Sequence, residues 1–500
     1  MRRIALLMVL LLSSTLVFAA GQGEGAGEAT TEDRPVIRVL SGGWFGTDYN
    51  EVETTAILEE RFGVDLEITT TGWGDDYSQR QQIVMASGDY PEIMTIDSNA
   101  TEIEYATSGA LLPLNEHFDD YPDLANYIPS DQWDVMRFPD GNIYTVPTTS
   151  ALSDGTPISQ TRVQTYRSDW LEEMGFDVPE TTEEYFDVAV AFSQDDPDGN
   201  GEDDTYAIGG ENGAIQFFVG IMGAFGAGRN IWTDIDGEIV NLALQPGAKD
   251  ALKYLNRLWE AGAIDPEFIT DNNDRWRQKW LGGVHGAPYV FGHLADENNY
   301  DGYREQFKAN VPDGEWVIGP PLVAPGYEDV AHAGEKLSTR GWMRSSIVAA
   351  AENAEAALPI LDFMASEEGR LQYTYGEAET DYEINDDGSV TVLADEERKA
   401  EYGINLYHVP IIRPASFAHM SAYYQDRLKE WEAERVTQAI DSILIDEVGE
   451  YNQILDDYVE DEFVKMIIGE TPIDGGYERF VEEFNRRGGE ELRQALNDAN

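Results

Sequence analysis

Cysteine is absent from the 500 residues, which excludes disulfides, a thiolate metal centre and a cysteine nucleophile. The residue through which exported lipoproteins are anchored is missing with it. Lysine is nearly as scarce. Eight lysines contribute to 33 basic residues, which face 95 acidic ones and leave a net charge of −62. Such a surface repels nucleic acid and anionic lipid, so neither is a partner. It also repels itself unless salt screens it, and the Debye length falls to about 3 Å at 1 M salt. Little lysine with abundant Asp and Glu is the composition expected of a protein working in a salty medium. Catalytic signatures are lacking too: there is no Walker-type phosphate loop, no G-x-G-x-x-G after a strand and no H-E-x-x-H. The six histidines are scattered, with His285 and His293 eight apart. Carboxylate pairs carry no information among 95 acids.

Only one long apolar run is present. Arg2 and Arg3 precede Ile4 to Leu12, and Val17, Ala19 and Ala20 then offer small residues for cleavage. This is the three-part pattern of a secretory signal over residues 1–20. The run is shorter than the roughly 20 apolar residues of a membrane span. A soluble, periplasmic or secreted product is therefore expected. Residues 21–34, rich in Gly, Glu, Ala and Thr, read as a flexible tether spanning about 20 Å. Residues 35–500 are too many for one core, so at least two domains are expected.

Val36 to Leu40 reads as a buried strand, Thr54 to Phe62 as a helix and Val64 to Thr70 as a second strand. Tyr77 to Ala86 is helical in pattern, and Ile93 to Ile96 is a third strand. That alternation predicts an α/β fold with a parallel sheet covered by helices. Ligands in such sheets bind at the carboxyl ends of the strands, where Trp44, Trp73 and Asp97 lie. Farther on, Thr181 and Glu184 have capping-box spacing. A helix through Ala251, Leu255 and Leu258 should end near Gly262, ahead of Pro266. From Tyr423 the pattern is mostly helical, through Val436 to Ile445, Tyr451 to Met466 and Tyr477 to Arg486.

The sharpest local signal is the acidic run from Asp196 to Asp204. Calcium takes six to eight oxygens, and alternate residues of a tight loop supply them. Counting from Asp196, the ligand positions fall on Asp198, Asn200, the carbonyl of Glu202 and Asp204, with Gly201 at the sharp turn. Position twelve, Glu in an EF-hand, is Ala207. A structural Ca2+ is expected here. Aromatics are the second signal: 11 Trp, 25 Tyr and 19 Phe. Their faces pack on the C–H faces of sugar rings as well as in cores. Trp44, Trp73, Trp232, Trp276 and Trp342, set among polar residues or Gly, read as loop aromatics.

Several segments together resemble one family. Tyr166-Arg167-Ser168-Asp169-Trp170-Leu171 with Gly175 matches an R-x-D-W-L-x-x-x-G run. Ala251 through Leu255 and Gly262 to Asp265-Pro266-Glu267-Phe268 matches a helix and turn. Tyr375-Gly376-Glu377 with Tyr382, and Ile468-Gly469 followed by Tyr477, Phe480 and Leu492, complete the series. These resemble the family 1 extracellular solute-binding proteins of ABC transporters, in particular the LipO-type and alginate-oligosaccharide-binding members. The alginate-binding members hold calcium at the loop matching Asp196, Asp198, Asn200, Glu202 and Asp204. Their next acidic ligand is Thr205 here.

The resemblance implies a periplasmic-binding-protein fold: two α/β lobes joined by a multi-strand hinge, with a helical C-terminal region. Residues 35–146 plus 288–342 would form one lobe, and 147–287 plus 343–500 the other. Crossings are expected near Tyr144 to Thr149, Ala287 to Phe291 and Gly341 to Ile347. The implied function is capture of a sugar or oligosaccharide by a non-catalytic monomer that delivers it to ABC permease subunits. Loop position marks Trp44, Asp48, Trp73, Asp97, Thr148, Trp276, Trp342, Tyr375 and Glu377 as ligand-binding candidates. Tryptophan and tyrosine would stack, while the acids and Thr148 would take hydroxyls. A neutral solute is expected ahead of an acidic one, and a secreted carbohydrate hydrolase or lyase is the alternative.

Overall fold

Val36–Gly42 forms strand β1, where β-branched residues fit the pleated, half-buried backbone. Helix α1 (Glu53–Phe62) follows and stops at Gly63, whose φ of 65° lets its N–H reach the Glu59 carbonyl at 2.9 Å. Strand β2 (Asp65–Thr71), helix α2 (Asp75–Ser87), strand β3 (Ile93–Ile96) and helix α3 (Asn99–Thr107) continue the alternation. The computed structural model describes residues 34–42, 48–72, 75–147, 149–151, 158, 161–296, 303–334, 340, 343–386, 388–404, 411, 414–416 and 418–500. Residues 35–500 make one compact unit.

Two more strands complete the first sheet: β4 (Val146–Pro147) and, much later in sequence, β11 (Arg344–Ile347). The order is β2-β1-β3-β11-β4. β1 is parallel to β2 and β3, while β11 is antiparallel to β3 and β4. Ile37, Val39, Ile93 and Ile347 pack there with Leu358 and Leu361. Each such side chain, fully buried, contributes about 1.5–3 kcal/mol.

Between β4 and β11 the chain builds a second core. β5 (Thr149–Ala151) leads into β6 (Arg162–Arg167), a hairpin of β7 (Trp232–Ile235) and β8 (Glu238–Asn241), then β9 (Tyr289–Phe291) and β10 (Trp316–Ile318). β10-β6-β9 is a wholly antiparallel sheet. The helix Thr182–Gln194 begins with the expected reciprocal cap between Thr181 and Glu184. The helix Pro246–Glu260 buries Ala251, Leu255 and Leu258. These pack with Phe463, Phe480 and Leu496 of the C-terminal helices.

The division of the chain between cores differs from the expected boundaries. Val290, Phe307 and Trp316, inside 288–342, pack with Trp276 and Trp280 of the second core. Ile347, Leu358 and Met364, inside 343–500, belong to the first. Backbone pairing is the reason: β9 and β10 flank β6, whereas β11 joins β3. The segment near Ala287 to Phe291 is thus an internal strand, not a crossing. The chain passes between cores after Pro147, before Arg344 and again between Ile411 of the first core and Met420 of the second. Two of these passages run side by side, since Thr149–Ala151 is parallel to Pro414–Ser416.

Three further expectations are corrected. Trp232 lies in strand β7 and Trp276 in the helix Asn273–Leu281, so neither is a loop aromatic. Trp232 packs in the second core and Trp276 against Phe217 and Trp280. Val436 to Ile445 is not a helix beyond the single turn Ala439–Asp441. There the Val436 N–H is donated to the Gly334 carbonyl, and Glu434 accepts from Ala333. Tertiary pairing takes backbone groups that a helix would have used.

Candidate functional site

The first sheet places its polar residues on one edge. β1, β2 and β3 end there at Gly42, Thr71 and Ile96, and the register sets Arg344 opposite both Ile96 and Pro147. Carboxyl ends of parallel strands, next to the strand where the order reverses, are where α/β sheets bind ligands. Asp97 follows β3 directly. Its Oδ2 accepts from Ser78 Oγ at 2.6 Å, while its buried Oδ1 has no partner among the described residues. Thr71 Oγ1, at the end of β2, is likewise buried without a partner. Buried polar atoms are nearly always satisfied, so two orphans on one edge mark a place that lacks donors and acceptors. Beneath them the Tyr77 hydroxyl is donated to the Thr95 carbonyl at 2.6 Å. Burial first, and then the Asp97 charge, pushes that phenol well above its usual range.

A buried ionic group braces this edge. Glu102 of α3, 1% exposed, accepts from Arg340 Nη2 at 2.7 Å and from Thr145 Oγ1 at 2.7 Å. Arg344 Nε lies 3.3 Å from its other oxygen. Burial alone would raise the Glu102 carboxyl; the two guanidiniums outweigh it and hold it low. Arg344 also donates to Asn99 Oδ1 at 2.8 Å, and Asn99 reaches Asp441 of the second core at 3.5 Å. The edge is therefore tied to both cores.

Five of the nine ligand candidates fall among the described residues. Asp97 sits on the edge. Asp48 is exposed and occupied locally: its Oδ1 accepts from the Asn50 side chain and N–H, which holds its carboxyl below the ordinary value. Asn50 in turn clasps both backbone groups of Ile68 on β2. Trp276, 2% exposed, is enclosed in aromatic packing. Tyr375 is fully buried with its hydroxyl 3.2 Å from His419 Nδ1, while Glu377 is exposed. A buried tyrosine at a helix end offers no face for stacking, which corrects the loop reading of Tyr375. Trp44, Trp73, Thr148 and Trp342 lie outside the described residues.

The acidic loop follows the helix Thr182–Gln194. Asp196, at φ 49°, and Gly199 and Gly201, at 69° and 84°, give it its tight turns. Asp196 Oδ2 accepts from the Gly201 N–H at 3.0 Å. The Asn200 amide nitrogen bridges Asp198 and Asp204 at 2.9 and 3.1 Å. Burial, then the nearby Asp196 and Asp204 carboxyls, pushes Asp198 up. Among the described residues no three His, Asp or Glu stand in a ligating cluster. Thr205 is buried and its hydroxyl is donated to the Phe192 carbonyl. Ala207 is buried, with its backbone bonded to Ala263 and Ser193. Position twelve therefore contributes nothing.

The family profile of bacterial extracellular solute-binding proteins matches residues 46–371. The chain belongs to the bacterial extracellular solute-binding proteins. Lipoprotein LipO of Bacillus subtilis (strain 168) is 25% identical over 465 residues, 88% of this chain and 87% of LipO. The fructooligosaccharide ABC transporter substrate-binding protein FusA of Streptococcus pneumoniae is 28% identical over 274 residues, 52% of this chain and 49% of FusA. A solved FusA EF-hand mutant in complex with fructo-nystose superposes with a TM-score of 0.71 at 20% identity, covering 93% of this chain and 98% of that one. Alginate-binding protein AlgQ2 without calcium ion gives 0.72 at 17% identity, covering 94% and 98%. The solute-binding protein thus has the periplasmic-binding-protein fold. No helix among its described residues is long and apolar enough to cross a membrane.

Sequence reasoning missed Thr71, Asn99, Glu102 and Arg344 in this solute-binding protein, and marked Arg340 only as a local positive charge, not as a partner of Glu102. Thr71 carried a signal, as the last residue of an alternating strand at a carboxyl end. The pairing of Glu102 with its two arginines carried none, since 238 residues separate Glu102 from Arg340.

Proposed function

We propose that the protein is the extracytoplasmic solute-binding component of an ABC importer, a non-catalytic receptor that takes an oligosaccharide between its two cores and presents it to permease subunits. Family membership together with the orphaned polar edge of the first sheet carries this reading. Asp97 and Thr71 would take hydroxyls, and the aromatics Trp44, Trp73 and Trp342 with Thr148 would complete the contact around them. Asp48 and Glu377 are exposed and remain candidates at the rim. The paired strands Thr149–Ala151 and Pro414–Ser416, with the passage into Arg344, would serve as the hinge, with solute favouring the closed arrangement.

Calcium in the acidic loop is part of the proposal. The residues fit the ion: the buried Asp196 Oδ1 has no partner among the described residues, and a half-turn of the Asn200 amide exchanges its nitrogen for an oxygen between Asp198 and Asp204. Asp196, Asp198, Asn200, the Glu202 carbonyl and Asp204 would hold it, with water completing six or more oxygens. Its role is to fasten the loop, since the set has no substrate-facing position. FusA and AlgQ2, whose structures concern an EF-hand mutant and a calcium-free form, support this part of the reading. Residues 1–20 as a signal, a periplasmic or secreted location and a monomeric state belong to the same proposal.

A thermal-shift screen against neutral oligosaccharides, uronates and peptides, in high salt with and without calcium, tests it. A true solute raises the melting temperature according to RT ln(1 + [L]/Kd) and is recovered uncleaved. Consumption of a glycan, or no shift with any glycan, overturns the reading.

A further inference from the structure

A second polar-aromatic group stands on the second core, beside the aromatic packing that encloses Trp276. Arg162 opens β6 just where the chain arrives from the first core, and the register places Phe291 directly across from it. Its Nη1 donates to Gln216 Oε1 at 2.9 Å. Its guanidinium carbon lies 5.5 Å from the Phe217 ring and 5.3 Å from the Phe291 ring. Half-buried Phe291 lies parallel to Tyr303, with centroids 6.3 Å apart and planes 7° apart, and Arg277 sits 5.8 Å from the Tyr303 ring.

Glu211 completes the group. Its loop is pinned at two backbone points: Asn212 N–H to the Asp271 carbonyl at 2.8 Å and Gly213 N–H to the Phe268 carbonyl at 2.9 Å. Asn212 is held at φ 50°, a conformation uncommon outside glycine that the surrounding structure must enforce. Glu211 takes a hydrogen bond from Asn273 and faces the charges of Arg162 and Arg277. Burial nevertheless pushes its carboxyl up. Its Oε2 is buried with no hydrogen-bond partner among the described residues. An unmatched buried acceptor is costly, and a charged one more so. The group is one donor short.

We infer that Glu211, with Arg162, Gln216 and Phe291, forms a subsite for the hydroxyl groups of a neutral sugar ring and discriminates against uronates; this rests on the oligosaccharide reading above. A hydroxyl is the donor that Glu211 Oε2 lacks. Arg162, whose charge Glu211 faces, and its partner Gln216 supply further polar atoms, and the Phe291 ring offers an apolar face to the C–H side of the sugar. A uronate brings a further anion against Glu211 and the nearby Asp274, whose two negative charges Arg162 and Arg277 already balance. The net charge of −62 acts in the same direction at long range.

Titration calorimetry of the purified full chain in 1 M NaCl tests this, with kestose, maltotriose and trigalacturonate as probes. The wild type should bind a neutral probe more tightly than trigalacturonate. Glu211→Ala should weaken the neutral probe by about tenfold or more, the scale of a hydrogen bond to a charged group. Glu211→Gln keeps the size, removes the charge and should both weaken the neutral probe and strengthen trigalacturonate, a switch that a merely structural residue would not produce. Glu397→Ala, at an exposed position, is the control. If Glu211→Ala fails to fold, Glu211→Gln decides. A wild type that binds a neutral probe unchanged by either folded variant, or that prefers trigalacturonate, overturns the subsite and leaves the oligosaccharide reading standing. A wild type that binds none of the three overturns the subsite, and the oligosaccharide reading falls with it only when no other glycan shifts the melting temperature.

Discussion

Each core contains a cluster of buried charge, and the two are built in opposite ways. In the first, one carboxylate, Glu102, serves two guanidiniums, Arg340 and Arg344, all three no more than 2% exposed. In the second, one ammonium serves three carboxylates: Lys279 lies 2.7 Å from Asp265, 2.8 Å from Glu267 and 2.5 Å from Asp271. His285 Nε2 joins at 3.0 Å from Asp265, and Arg275 Nε at 3.3 Å from Asp271. The acidic cluster reaches the surface, with Lys279 at 17% and Glu267 at 51% exposure. A protein with so many acids solvates surplus carboxylates cheaply at the surface. Positive charge is the rarer resource, and it is enclosed beside the polar edge of the first sheet. Removing a partner from a sealed cluster strands its charges, whereas a cluster open to water can relax.

Glu102→Ala should therefore be the most damaging single change in either cluster. Two buried guanidiniums losing their shared carboxylate predict a loss of about 3–5 kcal/mol in chemical denaturation. A loss below that of any surface variant would remove the distinction between the clusters. Chelating calcium should come next. A site filled at 100 times its Kd contributes about 2.7 kcal/mol, so EGTA should lower the melting temperature, and Asp198→Ala should abolish that response.

Lys279→Met should cost about 2 kcal/mol at neutral pH, less than a fully buried pair because part of the cluster is wet. The pH dependence separates the two clusters. Burial would raise the Asp265 carboxyl, but hydrogen bonds from His285 and Lys279 outweigh it and hold it at about 2. A depressed carboxyl stabilises the fold above its ordinary value of 3.8 and loses that contribution as pH falls through about 2. In Lys279→Met the carboxylates repel one another and protonate earlier, so its deficit against wild type should shrink as pH drops from 7 to 4. The Glu102→Ala deficit should not, because guanidiniums stay charged. Parallel curves for the two variants would break the comparison. Smallest of all, Thr181→Ala removes one helix cap and should cost about 1 kcal/mol at any of these pH values, read from the same denaturation curves.

Local signals carried much of the fold. The strands at Val36, Asp65 and Ile93, the capping box at Thr181 and the stop at Gly262 were legible because each depends on neighbours within a few residues. The acidic loop was legible for the same reason, and its failure at Ala207 could be read by counting. The site was much less so. Trp276 and Tyr375 looked available in sequence, yet one faces an aromatic cluster and the other a histidine 44 residues away. Periodicity says that a residue is on a helix, not which neighbour covers it.

By itself, then, the sequence determined the alternation of strands and helices, the turn chemistry of the acidic loop, the surface charge and the resemblance to a family, all properties of short segments or of composition. Only the tertiary structure decided that β11 closes the first sheet, that β9 is a strand within the second core, and that Thr71 and Asp97 share an edge with orphaned oxygens. It also decided that Glu102 meets Arg340 and that Arg162 stands across from Phe291. Those are pairings over tens to hundreds of residues, set by which backbone edge and which apolar face each segment finds. No local pattern encodes that choice.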